Sequence, residues 1–241
     1  MLLTRKELFK KIFNIAGPAA VSGFVYSAVH ALLDKTYPNY PVVPGKRSND
    51  SVRLIRPPGA LGERKFLAAC IRCYRCQDAC DIGAIQFYSE ADGKYYHSPY
   101  IDPALKSCNL CMKCTLACPT GALVHMRAEE KDKAAMASVE LFEDLCLSYK
   151  AKAIRNEQAL LMEMGRPPTE SAARVERRGP CGECHMFCPL REQAIRLEPG
   201  SFLAPVIIKE NCVGCGMCEE ICRVIKQGEP AIRVVPTRQR I

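Results

Sequence analysis

Apolar positions follow three different patterns along the chain. From Ile12 to Leu33 run 22 residues without a formal charge, bounded by Lys11 and Asp34. As a helix, this stretch is long enough to cross a hydrocarbon core of roughly 30 Å. Gly17, Pro18, Ser22, Gly23 and His30 keep it only moderately apolar, which suits an export signal better than a buried helix. From Tyr37 to Gly62 the pattern lapses into prolines at 38, 41, 44, 57 and 58 and glycines at 45, 59 and 62, which predicts an extended linker over 37–62. Beyond it, short alternations take over. Ile195-Arg196-Leu197 and Ile232-Arg233-Val234 predict short strands, and Val139-Glu140-Leu141-Phe142 and Val206-Ile207-Ile208 predict strands leading into cysteine loops.

Charge orients the first segment. Arg5, Lys6, Lys10 and Lys11 precede it, so the positive-inside rule puts residues 1–11 in the cytoplasm and the remainder across the membrane. Thr4-Arg5-Lys6-Glu7-Leu8-Phe9-Lys10 is similar to a twin-arginine export signal with lysine in the second basic position. Val29-His30-Ala31 offers a small-residue cleavage site. Residues 1–36 are therefore expected to be a signal or a retained membrane anchor, inserted through residues 12–33.

The chemistry lies in the cysteines, 16 among 241 residues. They fall into four groups with none left over: Cys70, Cys73, Cys76, Cys80; Cys108, Cys111, Cys114, Cys118; Cys146, Cys181, Cys184, Cys188; and Cys212, Cys215, Cys218, Cys222. The first, second and fourth have the spacing C-x2-C-x2-C-x3-C of the bacterial [4Fe-4S] run, in which three thiolates hold one cluster and the fourth cysteine serves a neighbouring cluster. At this cysteine content roughly 0.005 such runs are expected by chance, so the pattern is not compositional. The third group has Arg178 where its first cysteine should stand, and Cys146 is the only cysteine left to complete it.

Each fourth cysteine is followed by a similar apolar phrase: Gly83-Ala84-Ile85, Gly121-Ala122-Leu123, Gln193-Ala194-Ile195 and Pro230-Ala231-Ile232. The chain therefore reads as four copies of a strand, ligand loop, short helix and strand. This predicts an α+β fold of two bacterial-ferredoxin-like modules over 63–241, with an insertion at 147–180 and the N-terminal membrane or signal helix ahead of them. Within the insertion, Ala151 to Met164 is helical in composition, Gly165-Arg166-Pro167-Pro168 breaks it, and Arg174 to Arg178 is charged.

Other uses of the thiols fit less well. Zinc needs four ligands in two pairs and does not select a third cysteine at plus six and a fourth at plus ten. Thiols three residues apart around a tight loop are poorly placed for orderly disulfides. His30, His97, His125 and His185 are not needed as ligands. A formal charge of +8, from 34 basic and 26 acidic residues, comes without a Lys/Arg block or aromatic platform, which argues against nucleic acid. Four clusters at about minus two each would balance it, and Arg72 and Arg75 already lie inside the first ligand loop. A cluster with four cysteine ligands has no open iron for substrate, and there is no phosphate loop, G-x-S-x-G or dinucleotide fingerprint. The expected role is a relay of electrons without a substrate site. Export agrees with it, because clusters inserted in the cytoplasm protect thiols that would otherwise oxidise outside, and the twin-arginine route carries folded proteins.

Arg56-Pro57-Pro58-Gly59-Ala60-Leu61, then Phe66-Leu67-Ala68-Ala69-Cys70-Ile71-Arg72-Cys73, then Cys118-Pro119-Thr120-Gly121-Ala122-Leu123, resemble the NapG/MauM-type ferredoxins of periplasmic quinol oxidation. The detached Leu145-Cys146-Leu147-Ser148-Tyr149 and the later Cys181-Gly182-Glu183-Cys184-His185-Met186-Phe187-Cys188-Pro189-Leu190 resemble that family's irregular third motif. The resemblance implies a protein on the periplasmic face of the bacterial cytoplasmic membrane with four [4Fe-4S] clusters, related to the iron–sulfur subunits of the dimethyl-sulfoxide-reductase type. It would take electrons from a membrane-bound quinol-oxidising protein and pass them to a periplasmic reductase or c-type cytochrome. The alternative is a subunit held permanently in a larger membrane oxidoreductase. By the same analogy the first and fourth motifs pair, as do the second and third. Cys222 would then join Cys70, Cys73 and Cys76; Cys80 would join Cys212, Cys215 and Cys218; Cys188 would join Cys108, Cys111 and Cys114; and Cys118 would join Cys146, Cys181 and Cys184. Spacing alone also allows neighbouring motifs to pair. Lys6, Asp81, Arg223 and residues 147–180 depart from the family pattern.

Overall fold

The computed structural model describes residues 55–167, 169–170, 181–200 and 202–237. The expected signal or anchor, most of the expected linker and Arg174–Arg178 lie outside these residues. No helix among the described residues is long and apolar enough to cross a membrane.

Three of the helices are single turns that follow a cysteine loop, while the helix of the insertion runs to 17 residues. The helices are α1 (Glu63–Ala69), α2 (Arg75–Asp78), α3 (Lys113–Leu116), α4 (Leu147–Glu163), α5 (Glu183–Met186) and α6 (Met217–Lys226). The strands are β1 (Ile85–Phe87), β2 (Pro99–Ile101), β3 (Ser138–Leu141), β4 (Ile195–Leu197), β5 (Pro205–Ile207) and β6 (Ile232–Val235), paired antiparallel as β1–β2, β3–β6 and β4–β5. The four strands expected from alternation are all present.

The pairing defines two modules of one design. In the second, the two inner strands pair with Ile195 opposite Ile207, while the outer strands close it with Val139 opposite Val234. In the first, β1 and β2 are the inner pair, with Ile85 opposite Ile101. Its outer pair shrinks to a single bridge between Ala60 and Leu123. The strand expected at Gly121-Ala122-Leu123 is thus reduced to one bridging residue, because the Cys118 turn and the exposed Val124 leave no longer run to pair.

That bridge corrects the expected linker at its C-terminal end. Ile55 and Arg56 are fully buried, the Leu61 amide donates to the Ala122 carbonyl (3.1 Å) and the Val124 amide to the Gly59 carbonyl (2.7 Å). Proline and glycine serve packing here. Gly59 has φ +73, and a Cβ at this position would lie 2.5 Å from the Val124 oxygen. The module therefore begins at or before Ile55, where the chain had been expected to be still extended.

Arg56 is an unusual core residue. Its Nε donates to both Glu63 carboxylate oxygens (3.2 and 3.0 Å) and its Nη1 to Ser98 Oγ (3.0 Å) and the Pro99 carbonyl (2.6 Å), while Nη2 also meets Glu63. The guanidinium lies 4.7 Å from the Phe66 ring centre, so both its edges and its face are occupied.

One hydrophobic core runs through both modules, from Ile55, Phe66 and Ile85 to Val139, Ile195 and Ile232. The segment joining the modules packs against the last cysteine loop, where the Met136 and Ala137 amides donate to the Val213 carbonyl (2.9 and 3.3 Å). A Cβ on Gly214 would come within 2.3 Å of the Ala137 oxygen, and its φ is +70. Gly214→Ala should therefore cost about 2–5 kcal/mol, the sum of left-handed strain and overpacking, read as a lower denaturant midpoint. An unchanged midpoint would mean that the two modules are not held together at this contact.

The insertion begins helically at once. Helix α4 starts at Leu147, directly after Cys146 and four residues before the expected start, and ends at Glu163 just before Gly165 with φ +73. Tyr149 Oη donates to the Pro205 carbonyl (3.2 Å) and Lys152 pairs with Glu198 (2.7 Å), which fixes its first turns against the β4–β5 side.

Candidate iron–sulfur centre

The three C-x2-C-x2-C loops share a backbone device. At two and four residues after the first cysteine the chain is left-handed: Arg72 and Tyr74, Leu110 and Met112, and Gly214 and Gly216, with φ between +56 and +88. Gly182 holds the corresponding second position in the third loop, φ +63. Tyr74, Met112, Gly182 and Gly216 are the N-caps of α2, α3, α5 and α6, so each short helix springs from the second of these turns. Such turns point successive amides inward and make a cradle for anionic sulfur. In the first two loops four side-chain-bearing residues hold a conformation that favours glycine, a strain maintained only where the surroundings demand it. Cysteine spacing gives no warning of it.

The recurring apolar phrase has a similar role. The amides of Ala84, Leu123 and Ala231 donate to Cys80 Sγ (3.3 Å), Cys118 Sγ (3.4 Å) and Cys222 Sγ (3.2 Å). The chain turns back after the fourth cysteine to cap its sulfur, and the buried alanine with the isoleucine or leucine after it packs in the core.

These loops gather the sulfurs into quartets. Cys70, Cys73, Cys76 and Cys118 ring one hollow, Cys80, Cys108, Cys111 and Cys114 a second, and Cys146, Cys181, Cys184 and Cys222 a third. Each of the three hollows is ringed by four sulfurs and otherwise lined mainly by apolar side chains, as expected if they hold one kind of group. Cys188 is an electrostatic neighbour of Cys212, Cys215 and Cys218, which makes the fourth quartet. Cys146 thus stands with the third motif, beside Cys181 and Cys184.

The pairing drawn by analogy is not the one observed. Each fourth cysteine crosses to the neighbouring motif: Cys118 to the first, Cys80 to the second, Cys222 to the third and Cys188 to the fourth. The cause is topological. The inner hairpin folds the first motif onto the second and the third onto the fourth, leaving the first and fourth in different modules.

Burial and mutual repulsion act strongly on these thiols. Burial, then the neighbouring sulfurs, pushes Cys76, Cys114 and Cys184 up to about 12; burial does the same to Cys108 and Cys215, and it drives Cys218 well above the ordinary thiol range. Cys118 goes the other way: burial raises it, but amides of Leu123, Thr120 and Gly121 and the Thr120 hydroxyl more than offset this. Four sulfurs held dry and close ionise together only around a cationic core. A polynuclear cluster fits the donor set and the spacing better than zinc does. When bound, such a cluster supplies one-electron redox chemistry; the residues of this chain ligate it, donate amide hydrogen bonds to its sulfurs and control its solvent exposure.

The quartets form a row. Cys76 and Cys114 couple the first quartet to the second, the Cys108 amide donates to the Cys215 carbonyl (3.1 Å) between the second and fourth, and Cys184 neighbours Cys218 between the fourth and third. The spatial order is first, second, fourth, third. Of the histidines, His185 pairs with Glu192 (2.6 Å), His125 contacts the Cys118 carbonyl (3.2 Å) and His97 stacks on Tyr96; His30 lies outside the described residues.

Loops, amide-capped sulfurs and short antiparallel ladders define an iron–sulfur electron-transfer protein of the ferredoxin type. Residues 69–122 match the 4Fe-4S dicluster domain, a span containing both motifs of the first module, and residues 209–225 match the 4Fe-4S binding domain. The chain is 30% identical over 241 residues to the methylamine utilization ferredoxin-type protein MauM of Paracoccus denitrificans, covering 97% of this chain and 88% of the relative. It is 30% identical over 194 residues to the ferredoxin-type protein NapG of Escherichia coli, covering 76% and 70% of the two chains. No solved structure matches. The chain belongs to the MauM/NapG family of ferredoxin-type proteins.

Proposed function

We propose that the sixteen cysteines hold four [4Fe-4S] clusters that relay electrons from a membrane-bound quinol-oxidising protein to a periplasmic reductase or c-type cytochrome. Residues 12–33 would tether the chain to the periplasmic face of the cytoplasmic membrane. The observation that carries this reading is the row of sulfur quartets, each a neighbour of the next. A row lets one electron enter at one end and leave at the other without a substrate bond being made or broken.

Anaerobically purified protein should contain about sixteen iron and sixteen acid-labile sulfide per chain. Content near four, or bound zinc, would end the proposal. The second reading, a subunit of a larger membrane oxidoreductase, draws support from the end of α4, where Leu160, Met162 and Met164 are 62%, 58% and 68% exposed. A stoichiometric complex surviving purification in mild detergent would favour it over a free carrier.

A further inference from the structure

The ends of the row differ. At one end stands the Cys70, Cys73, Cys76 and Cys118 quartet, at the other that of Cys146, Cys181, Cys184 and Cys222. Cys146 and Cys184 are buried and Leu147 and Ser148, at the start of α4, line their hollow. Both inner quartets also contain buried cysteines. Cys73, alone of the sixteen, is exposed. Electron tunnelling weakens steeply with distance, so this sulfur offers the shortest way in or out.

The surroundings of Cys73 have a definite chemistry. Ile71 beside it is 61% exposed, and Arg72 and Arg75 are exposed on either side. From Ala69 to Gln77 the chain carries these two positive charges and no acid. Across the hollow, Pro119, Thr120 and Gly121 are exposed and uncharged. Asp81, the nearest acid after Asp78, is paired with Lys113. Arg72 is held in place: its backbone is left-handed and its Nε donates to the Tyr96 carbonyl (2.8 Å). The rim of the hollow therefore carries an anchored Arg72 beside one apolar side chain and an accessible sulfur, with the exposed Arg75 next along the loop and the acid Asp78 one turn further on α2.

Building on the relay reading, we propose that the Cys73 loop is the port at which electrons pass to or from an acidic redox protein. Arg72 and Arg75 meet carboxylates around the partner's cofactor, and Ile71 supplies the apolar contact. A lipid surface has the charge to bind the two arginines but no centre to exchange an electron with, so the exposed sulfur favours a redox protein.

The test uses the full iron-loaded chain and inorganic probes. After reduction with dithionite, each electron lost from the protein turns one hexacyanoferrate(III) into hexacyanoferrate(II), or one hexaammineruthenium(III) into the ruthenium(II) ion. In the Arg72→Glu/Arg75→Glu variant, oxidation by the anionic reagent should slow about tenfold at low ionic strength and oxidation by the cationic one should accelerate, with iron and sulfide unchanged. Lys150→Glu/Lys209→Glu, which changes net charge equally on the second module, should alter both rates less than about twofold. Calorimetric binding of redox-inert hexacyanocobaltate(III) should weaken in the loop variant alone. If the loop variant loses iron, Arg75→Glu alone carries the comparison. Equal slowing in both double variants would overturn the port. So would unchanged anion kinetics together with lost binding to phosphatidylglycerol vesicles. A chain without iron or without reducible clusters would instead overturn the relay reading beneath it.

Discussion

Replacing Cys118 by serine is expected to reduce iron from about sixteen to about twelve per chain, with the loss confined to the quartet of Cys70, Cys73 and Cys76. The diagnostic measurement is a pair of double variants. Cys73→Ser added to Cys118→Ser removes a second sulfur from the same quartet and should leave about twelve iron. Cys181→Ser added to Cys118→Ser breaks a second quartet and should leave about eight. Had the first motif paired with the fourth, these two results would exchange. Iron and sulfide analysis therefore reads the pairing directly, without any functional partner, and the reverse result would require the hairpin topology of both modules to be redrawn.

The second large effect is expected far from any sulfur. Glu63→Ala strips the buried Arg56 of its carboxylate, leaving a guanidinium with zero exposure held by Ser98 Oγ, the Pro99 carbonyl and the Phe66 ring, with no negative charge beside it. Breaking one partner of such a pair costs about 3–5 kcal/mol. Denaturant unfolding of the iron-loaded protein should show this as a lowered midpoint. Arg56→Met with Glu63→Leu removes both charges and should recover most of the loss, since well-packed apolar residues often replace a buried ion pair without penalty. Equal destabilisation by the single and the double change would show that the hydrogen bonds to Ser98 and Pro99, and not the charge pair, hold Arg56 in the core.

Much of this architecture was legible in the sequence. The alternations around Val139, Ile195, Val206 and Ile232 identified strands because one face of each ladder is buried and the other is not. Cysteine spacing identified the loops because three sulfurs must reach one hollow from a short segment. The partner of each fourth cysteine was not legible, since it depends on which motifs the hairpins bring together in space, and the analogy with related subunits pointed to the wrong motif. Arg56 and Gly59 were also misread. Proline and glycine at 57–59 resemble a linker, and only the approach of Val124 reveals that they are packed. The left-handed residues Arg72, Tyr74, Leu110 and Met112 left no mark, because nothing in an arginine, tyrosine, leucine or methionine announces a turn.

The outer ladder of the second module sets a condition on its making. Glu140 lies opposite Arg233, so β3 emerges from the ribosome long before the strand that covers it. Until Ala231 has been synthesised Cys222 lacks the amide that caps it, and until Val235 has followed one edge of that half stays open. The segments that form the first half all lie within residues 55–124, but the second is completed only with nearly the whole chain in hand. A chain ending before Ile232 would therefore lack β6 altogether and leave β3 without its partner strand.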